Sequence, residues 1–299
     1  MSVVRNSSRG ASIDVNSSCV FILMLKKPYI IPAKPEILAS LTAQLNSDQP
    51  DLDSVVKTLK SDASLYALIL SIVNKPLFSG AAQITTLEQA VMRLGFYRLD
   101  TLVKLTVLKK SLSGPMRLDR FWDTATEVGE LASTLANSFA AVNVDDAYTV
   151  GMLHDCGIPL MLEQFPDFSS LLKSQKLDST QALIQAEISQ YGVDHFSIGA
   201  EITANWQLPE VISETINLQK QYPVNFLNMD STVSRESKRL CCMVLLAKDI
   251  SRRYRHFWRI DQAADNSENL RYALEYLGIS EVDYWDLRDD LLLELEQLS

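Results

Sequence analysis

Apolar residues recur at helical spacing along most of the chain, and one stretch after another opens on a residue able to cap a helix. A face that repeats every 3.6 residues or so is buried only by packing helix on helix, so the pattern points to an all-α fold of many helices. "KKPYIIPAKPEIL" carries three prolines that favour an extended approach to a helix starting near Pro35. "DLDSVVKTLK" and "DASLYALILSIV" read as short helices opened by Asp51 and Asp62, whose carboxylates can accept from free backbone amides. Thr85 and Glu88 stand at capping-box spacing, and Gly95 closes that helix. Longer amphipathic helices are predicted over 118–141, 145–163, 179–191 and 234–257. The capping pair Ser280 and Asp283 opens a last helix, on which Leu287, Leu291 and Leu295 form a stripe expected to pack within the molecule.

"SGPMR" at 113–117 combines Gly with Pro and is the clearest internal joint; a looser stretch, "KQYPVNFLNMDST", precedes the C-terminal part. The expected organisation is an N-terminal extension over 1–27, with a small β-hairpin as one form for it. A helical subdomain over 28–113, a second over 114–260 and a C-terminal helical extension over 261–299 follow.

Charge narrows the function classes. A formal net charge of −9 and a pI near 4.9 argue against nucleic acid and anionic membrane surfaces as partners, because both are bound through clustered Lys and Arg. Cys19, Cys156, Cys241 and Cys242 show no CxxC spacing, which suggests neither a zinc knuckle nor a disulfide framework and fits a reducing cytoplasm. The apolar run "CVFILML" is too short to span a bilayer and lacks a signal-peptide cleavage site.

"VGMLHDCGIPL" sets His154 and Asp155 side by side in an otherwise apolar stretch. Neighbours on a helix point about 100° apart, so both could touch one metal ion only where other helices bring further ligands. The chain has three histidines, His154, His195 and His256, and none precedes residue 154. Upstream, only Asp123 or Thr124 is available; downstream, Asp249 stands at a plausible distance. A metal set of Asp123, His154, Asp155 and Asp249, holding Mg, Mn or Fe, is therefore the alternative. The favoured reading gives the pair structural hydrogen bonds, with no metal or other cofactor. His195 reads either as a pocket residue beside His154 or as a helix-start residue whose ring satisfies a backbone carbonyl, with Asp194 or Ser197 as the cap. Glu201 could line the same pocket or be solvated. Arg252, Arg255 and Arg259 share one side of a helix, which could hold an anionic ligand or acidic partner helix, or simply be a solvated face.

Several strings together resemble the HDOD domains, HD-related output domains of bacterial signalling proteins. The resemblance covers about residues 28–250: "IIPAKPEIL", then Asp62, Leu65, Leu68, Asn74, Phe78, Ile84, Leu87, Ala90, Leu94 and Gly95 in order and spacing. Phe121-Trp122, "YTVGMLHDCGIPLM" and "VDHFSIGAEITANWQLPEVISETI" follow. The resemblance implies a helical bundle like that of HD-type metal-dependent phosphohydrolases, used as a non-catalytic module that couples an input to an output. It would align the HD family's first histidine with Thr124, its doublet with His154-Asp155 and its last aspartate with Lys248 or Asp249. Ile158 stands where cyclic-dinucleotide phosphodiesterase relatives have lysine, no Gly-Tyr-Pro triplet occurs, and "NLQKQ" at 217–221 replaces a common His-His. The expected function is a regulatory module with a degenerate metal site, acting through a signalling protein partner or small ligand. The alternative is a phosphohydrolase with an atypical ligand set. No sensor, receiver or cyclase segment is recognised, so input and output are expected from other proteins, and no feature specifies an oligomeric state.

Overall fold

The computed structural model describes residues 27–74, 83–113, 118–139, 142–174, 179–222, 232–257 and 267–298. Among them every regular element is helical, as the periodicity requires. The first group is α1 (Glu36–Leu45), α2 (Leu52–Lys60), α3 (Ala63–Val73) and the long α4 (Leu87–Ser113). The second is α5 (Asp119–Phe139), α6 (Val144–Leu153), α7 (Gly157–Gln164), the short α8 (Phe168–Leu172), α9 (Thr180–Tyr191), α10 (His195–Asn205) and α11 (Glu210–Leu218). A 3-10 turn at Gln219–Gln221, then α12 (Arg235–Phe257), α13 (Ser267–Leu277) and α14 (Glu281–Leu298) complete it. The hairpin expected before residue 27, and most of the joint at 113–117, lie outside the described residues.

The helix starts are set by local chemistry. Asp51 accepts from the Ser54 amide at 3.0 Å and Asp62 from the Leu65 amide at 3.0 Å. The capping box of α4 is one residue later than its spacing suggested. Thr86 Oγ1 accepts from the Gln89 amide at 3.2 Å, and Gln89 Oε1 accepts in return from the Thr85 amide at 2.8 Å. Gly95, at φ 74°, closes the first helical piece of α4 as its position suggests, and a second piece follows at once; side chains other than glycine's disfavour that conformation. Just before α4, Asn74 clips the chain: its amide donates to Ile84 O at 2.7 Å and its oxygen accepts from Ile84 N at 2.8 Å.

The single helix expected over 145–163 is two, α6 and α7, separated by the turn His154–Cys156. The apolar periodicity runs on through the turn, but Pro159 marks a break locally: within one continuous helix it would lack the amide that bonds the Asp155 carbonyl, and its ring would clash with that oxygen. A tertiary contact coincides with it. A Cβ on Gly157 would lie 1.9 Å from the His195 carbonyl oxygen, so α7 can start against α10 only with hydrogen at that position. α5 and α6 also approach closely where Gly151 meets Gly129: a Cβ on Gly151 would lie 2.7 Å from the Gly129 Cα.

One continuous core includes Leu38, Leu59 and Leu108 of the first helices, Ile198 and Ile212 of α10 and α11, and Tyr284 and Leu291 of α14. α12 crosses its middle with Leu240, Met243, Val244, Ala247 and Ile250 fully buried. Polar bonds stitch the two groups: buried Lys104 of α4 pairs with Asp100 at 2.6 Å and donates to Gln207 O at 2.8 Å, and Trp206 Nε1 donates to Pro32 O at 3.2 Å. The leucine stripe of α14 packs on this same core, Leu291 buried and Leu287 and Leu295 half-buried. α14 is held to α12 by Tyr284, whose hydroxyl donates to Asp249 Oδ2 at 3.2 Å and approaches Leu246 O at 3.3 Å.

Burial at the start of α6, reinforced by the Glu236 and Asp145 charges, pushes the Asp146 carboxyl up to about 6. A carboxyl whose folded value is raised binds its proton more tightly when folded, so stability falls as pH rises from about 4 to about 6 and the cost persists above. Asp146→Asn is therefore expected to be more stable at pH 7 by on the order of 1–2 kcal/mol. Urea melts at pH 4 and pH 7 check it: a gain at both, of equal size, would assign the effect to packing instead of charge.

Candidate functional site

The turn between α6 and α7 presents the site. His154 ends α6, and its Nδ1 donates to Gly151 O at 2.6 Å, which turns Nε2 onto Asp155 Oδ2 at 3.1 Å. From α12, the Lys248 ammonium reaches Asp155 Oδ1 at 3.2 Å. From the start of α10, His195 Nε2 lies 3.9 Å from the same oxygen. Asp155 thus faces three nitrogen-bearing side chains from two other elements and its own turn.

Each of these side chains is held from behind. Asp194 caps α10, accepting from Ser197 N at 2.8 Å, which fixes the position of His195. The His195 ring donates through Nδ1 to Glu187 of α9, both carboxylate oxygens lying at 2.8 Å, and Glu187 Oε2 also accepts from the His195 amide at 3.2 Å. Glu187 is fully buried, so His195 is its means of satisfaction. The ring is therefore satisfied by a carboxylate, in place of the backbone carbonyl that was one expectation, and like His154 it faces Asp155. Gln219, at the end of α11, donates to the His154 carbonyl at 3.0 Å and ties the turn to a third helix. Lys248 also lies 5.7 Å from the centre of the Phe196 ring, within cation–π range.

The electrostatics follow from this crowd. Burial by itself raises the Asp155 carboxyl, but the His154 and Lys248 charges, the hydrogen bond from His154 and the His195 charge more than offset it and hold the group well below the usual carboxylate range. Asp155 is an anion within a cationic setting. Cys156, packed beneath the turn with its thiol 3.8 Å from Gly199 O, is pushed far up by burial and is an inert, uncharged filler.

The other expected residues are dispersed. Asp123 is exposed on α5, and the Thr124 hydroxyl donates to the Arg120 carbonyl of its own helix at 2.8 Å; neither is among the groups meeting Asp155. Asp249 is engaged by other groups, accepting from Arg253 Nε at 2.9 Å and from Tyr284. Glu201 is drawn to the chain's beginning, accepting from the Tyr29 hydroxyl at 2.6 Å and pairing with Lys27. Arg252 is exposed beside the site, the Arg255 side chain and Arg259 lie outside the described residues, and no group of three or more His, Cys, Asp or Glu among the described residues is arranged to hold a metal ion. Lys248, Glu187 and Gln219 were not singled out as pocket residues from sequence. Glu187 left a signal, since it shares the inward face of α9 with buried Ile184, and a carboxylate there demands a partner.

The HD-type metal centre tests poorly against these residues. Where the resemblance aligns its final aspartate with Lys248 or Asp249, the first supplies a cation to Asp155 and the second is taken up by Arg253 and Tyr284. A divalent ion at Asp155 would have to approach the Lys248 ammonium, and like charges within about 4 Å repel by several kcal/mol at protein dielectric.

This all-helical bundle, with a histidine–aspartate turn at the junction of α6, α10, α11 and α12, is the architecture of HD-related domains. The model of the HDOD domain family matches residues 31–222, and the chain belongs to that family. Its fold is similar to that of a candidate phosphohydrolase from Shewanella amazonensis SB2B, with a TM-score of 0.63 at 23% identity over 88% of this chain and 90% of that one. An HDOD domain protein of unknown function from Geobacter sulfurreducens gives 0.62 at 21%, over 95% and 96%. A candidate signal transduction protein from Marinobacter aquaeolei VT8 gives 0.61 at 20%, over 88% and 57%. An uncharacterized protein of Treponema pallidum (strain Nichols) is 24% identical over 195 residues, 64% of this chain, and this chain spans only 38% of that protein's length. No helix among the described residues is long and apolar enough to cross a membrane.

Proposed function

We propose that this HDOD protein is a non-catalytic signal-transduction module, which passes a regulatory input to an output by binding a protein partner or small ligand, and that its Asp155 site is a degenerate HD metal centre. The observation that carries this reading is the Lys248 ammonium 3.2 Å from Asp155 Oδ1, a protein-borne cation on the carboxylate that would have to ligate a metal. The dispersal of Asp123, Thr124 and Asp249 supports it, because the alternative phosphohydrolase needs those groups converging on one ion to orient a water.

Elemental analysis of protein purified without chelator, and again after incubation with Mn²⁺ or Fe²⁺ and desalting, tests it, together with phosphate release from a panel of phosphoesters. Metal far below one ion per chain and no release are expected. Near-stoichiometric metal that disappears in Asp155→Ala, accompanied by hydrolysis, would overturn the reading in favour of the metal-dependent phosphohydrolase.

A further inference from the structure

We propose that the cavity beside Asp155 is a binding site for a compact, flat organic anion that also carries a hydrogen-bond donor; this rests on reading the chain as a non-catalytic module. The cavity, about 270 Å³, opens between α9, α10, the 3-10 turn, α12 and α13. That volume is at the small end of ligand pockets and suits a molecule no larger than a mononucleotide.

Its charge selects an anion. Arg252 stands exposed on the cavity wall, and its guanidinium has no carboxylate partner among the described residues. Lys248 shares the wall, bridging the cavity and Asp155. The first turn of α9, whose backbone amides carry partial positive charge, forms the rim at Ser179–Gln181. Asp249, the one acidic residue among the described lining, is already met by Arg253 and Tyr284, so it does not cancel this field.

The demand for a donor comes from Gln219. It lines the cavity at 4% exposure, its amide nitrogen is committed to the His154 carbonyl, which fixes the orientation of the group, and its Oε1 is buried without a hydrogen-bond partner among the described residues. Such an acceptor is satisfied by an N–H or O–H from whatever fills the cavity. Phe196, Leu245 and Leu270 supply the apolar walls against which a flat ring system packs.

The test is calorimetric titration of the full chain at low ionic strength with three probes: indole-3-acetate and adenosine 5′-monophosphate, which share the flat donor-bearing anion chemistry, and inorganic phosphate, which has only the charge. At least one organic probe is expected to bind and to be weakened about tenfold or more by Arg252→Glu, an exposed change that leaves the core untouched. Gln219→Met is expected to weaken the organic probe as well. Absence of binding by both organic probes, binding indifferent to Arg252→Glu, or inorganic phosphate binding as tightly as they do would each overturn the site. Adenosine monophosphate is followed by ³¹P spectra over the same period: intact nucleotide with no binding defeats the cavity proposal alone, whereas released phosphate defeats the non-catalytic reading.

Discussion

Gly157→Ala is expected to destabilise the protein by more than about 4 kcal/mol, enough to leave it largely unfolded at 37 °C if its stability is ordinary for a domain. The added methyl carbon would sit 1.9 Å from the His195 carbonyl oxygen and 2.8 Å from its carbonyl carbon. Those atoms are backbone at the first turn of α10, so no rotamer change relieves the clash, and α7 must separate from α10. The separation would also draw His195 away from Asp155 and expose Cys156, which packs beneath the same contact. Urea melts followed by helical circular dichroism measure the loss. A change under about 1 kcal/mol would mean that the α7–α10 approach yields easily and does not position the site.

Asp155→Ala is the second large effect, with an expected loss of about 2–3 kcal/mol at pH 7. The substitution leaves the Lys248 ammonium and the His154 ring facing each other with their shared carboxylate gone. The side chain is 20% exposed, so water compensates in part and the figure is set at the lower end of what breaking a buried pair costs. Its pH dependence identifies the cause. The folded carboxyl is held well below its unfolded value, so its contribution is complete above about pH 5 and declines as pH falls from near 4 toward the folded value. The gap between native protein and variant should therefore narrow in acid. A gap of constant size from pH 7 to pH 3 would show that lost packing, not charge, is responsible.

What the sequence made legible was local. Asp51, Asp62, Ser179, Asp194 and Ser280 all accept a backbone amide three residues on, and that interaction depends on nothing beyond the first turn of each helix. The leucine stripe of α14 was readable for the same reason, since a period decides which face must be covered. The break between α6 and α7 is marked in the sequence by Pro159, although the apolar periodicity runs across it; the close α7–α10 approach that Gly157 permits was not legible, because it answers to a carbonyl 38 positions away in the chain. The site was half visible. The histidine–aspartate pair could be seen, but its partners come from α9, α11 and α12, and distance along the chain conceals which polar residue of an amphipathic helix turns inward. Lys248 and Asp249 illustrate this: adjacent in sequence, they join different partners, one Asp155 and the other Tyr284.

That Lys248 meets Asp155 through a covalently attached side chain has a consequence for how the site responds to its surroundings. A bound ion stabilises a fold by mass action, so its contribution rises and falls with the free concentration and vanishes in the presence of a chelator. A counter-ion carried on the polypeptide has no such dependence: it is present at the same effective concentration in every folded molecule, whatever the metal supply. On the non-catalytic reading proposed above, the carboxylate is thereby removed from the competition for scarce cations and made a permanent part of the scaffold, and the junction of α6, α10 and α12 would keep one geometry under conditions that load or empty a metal centre.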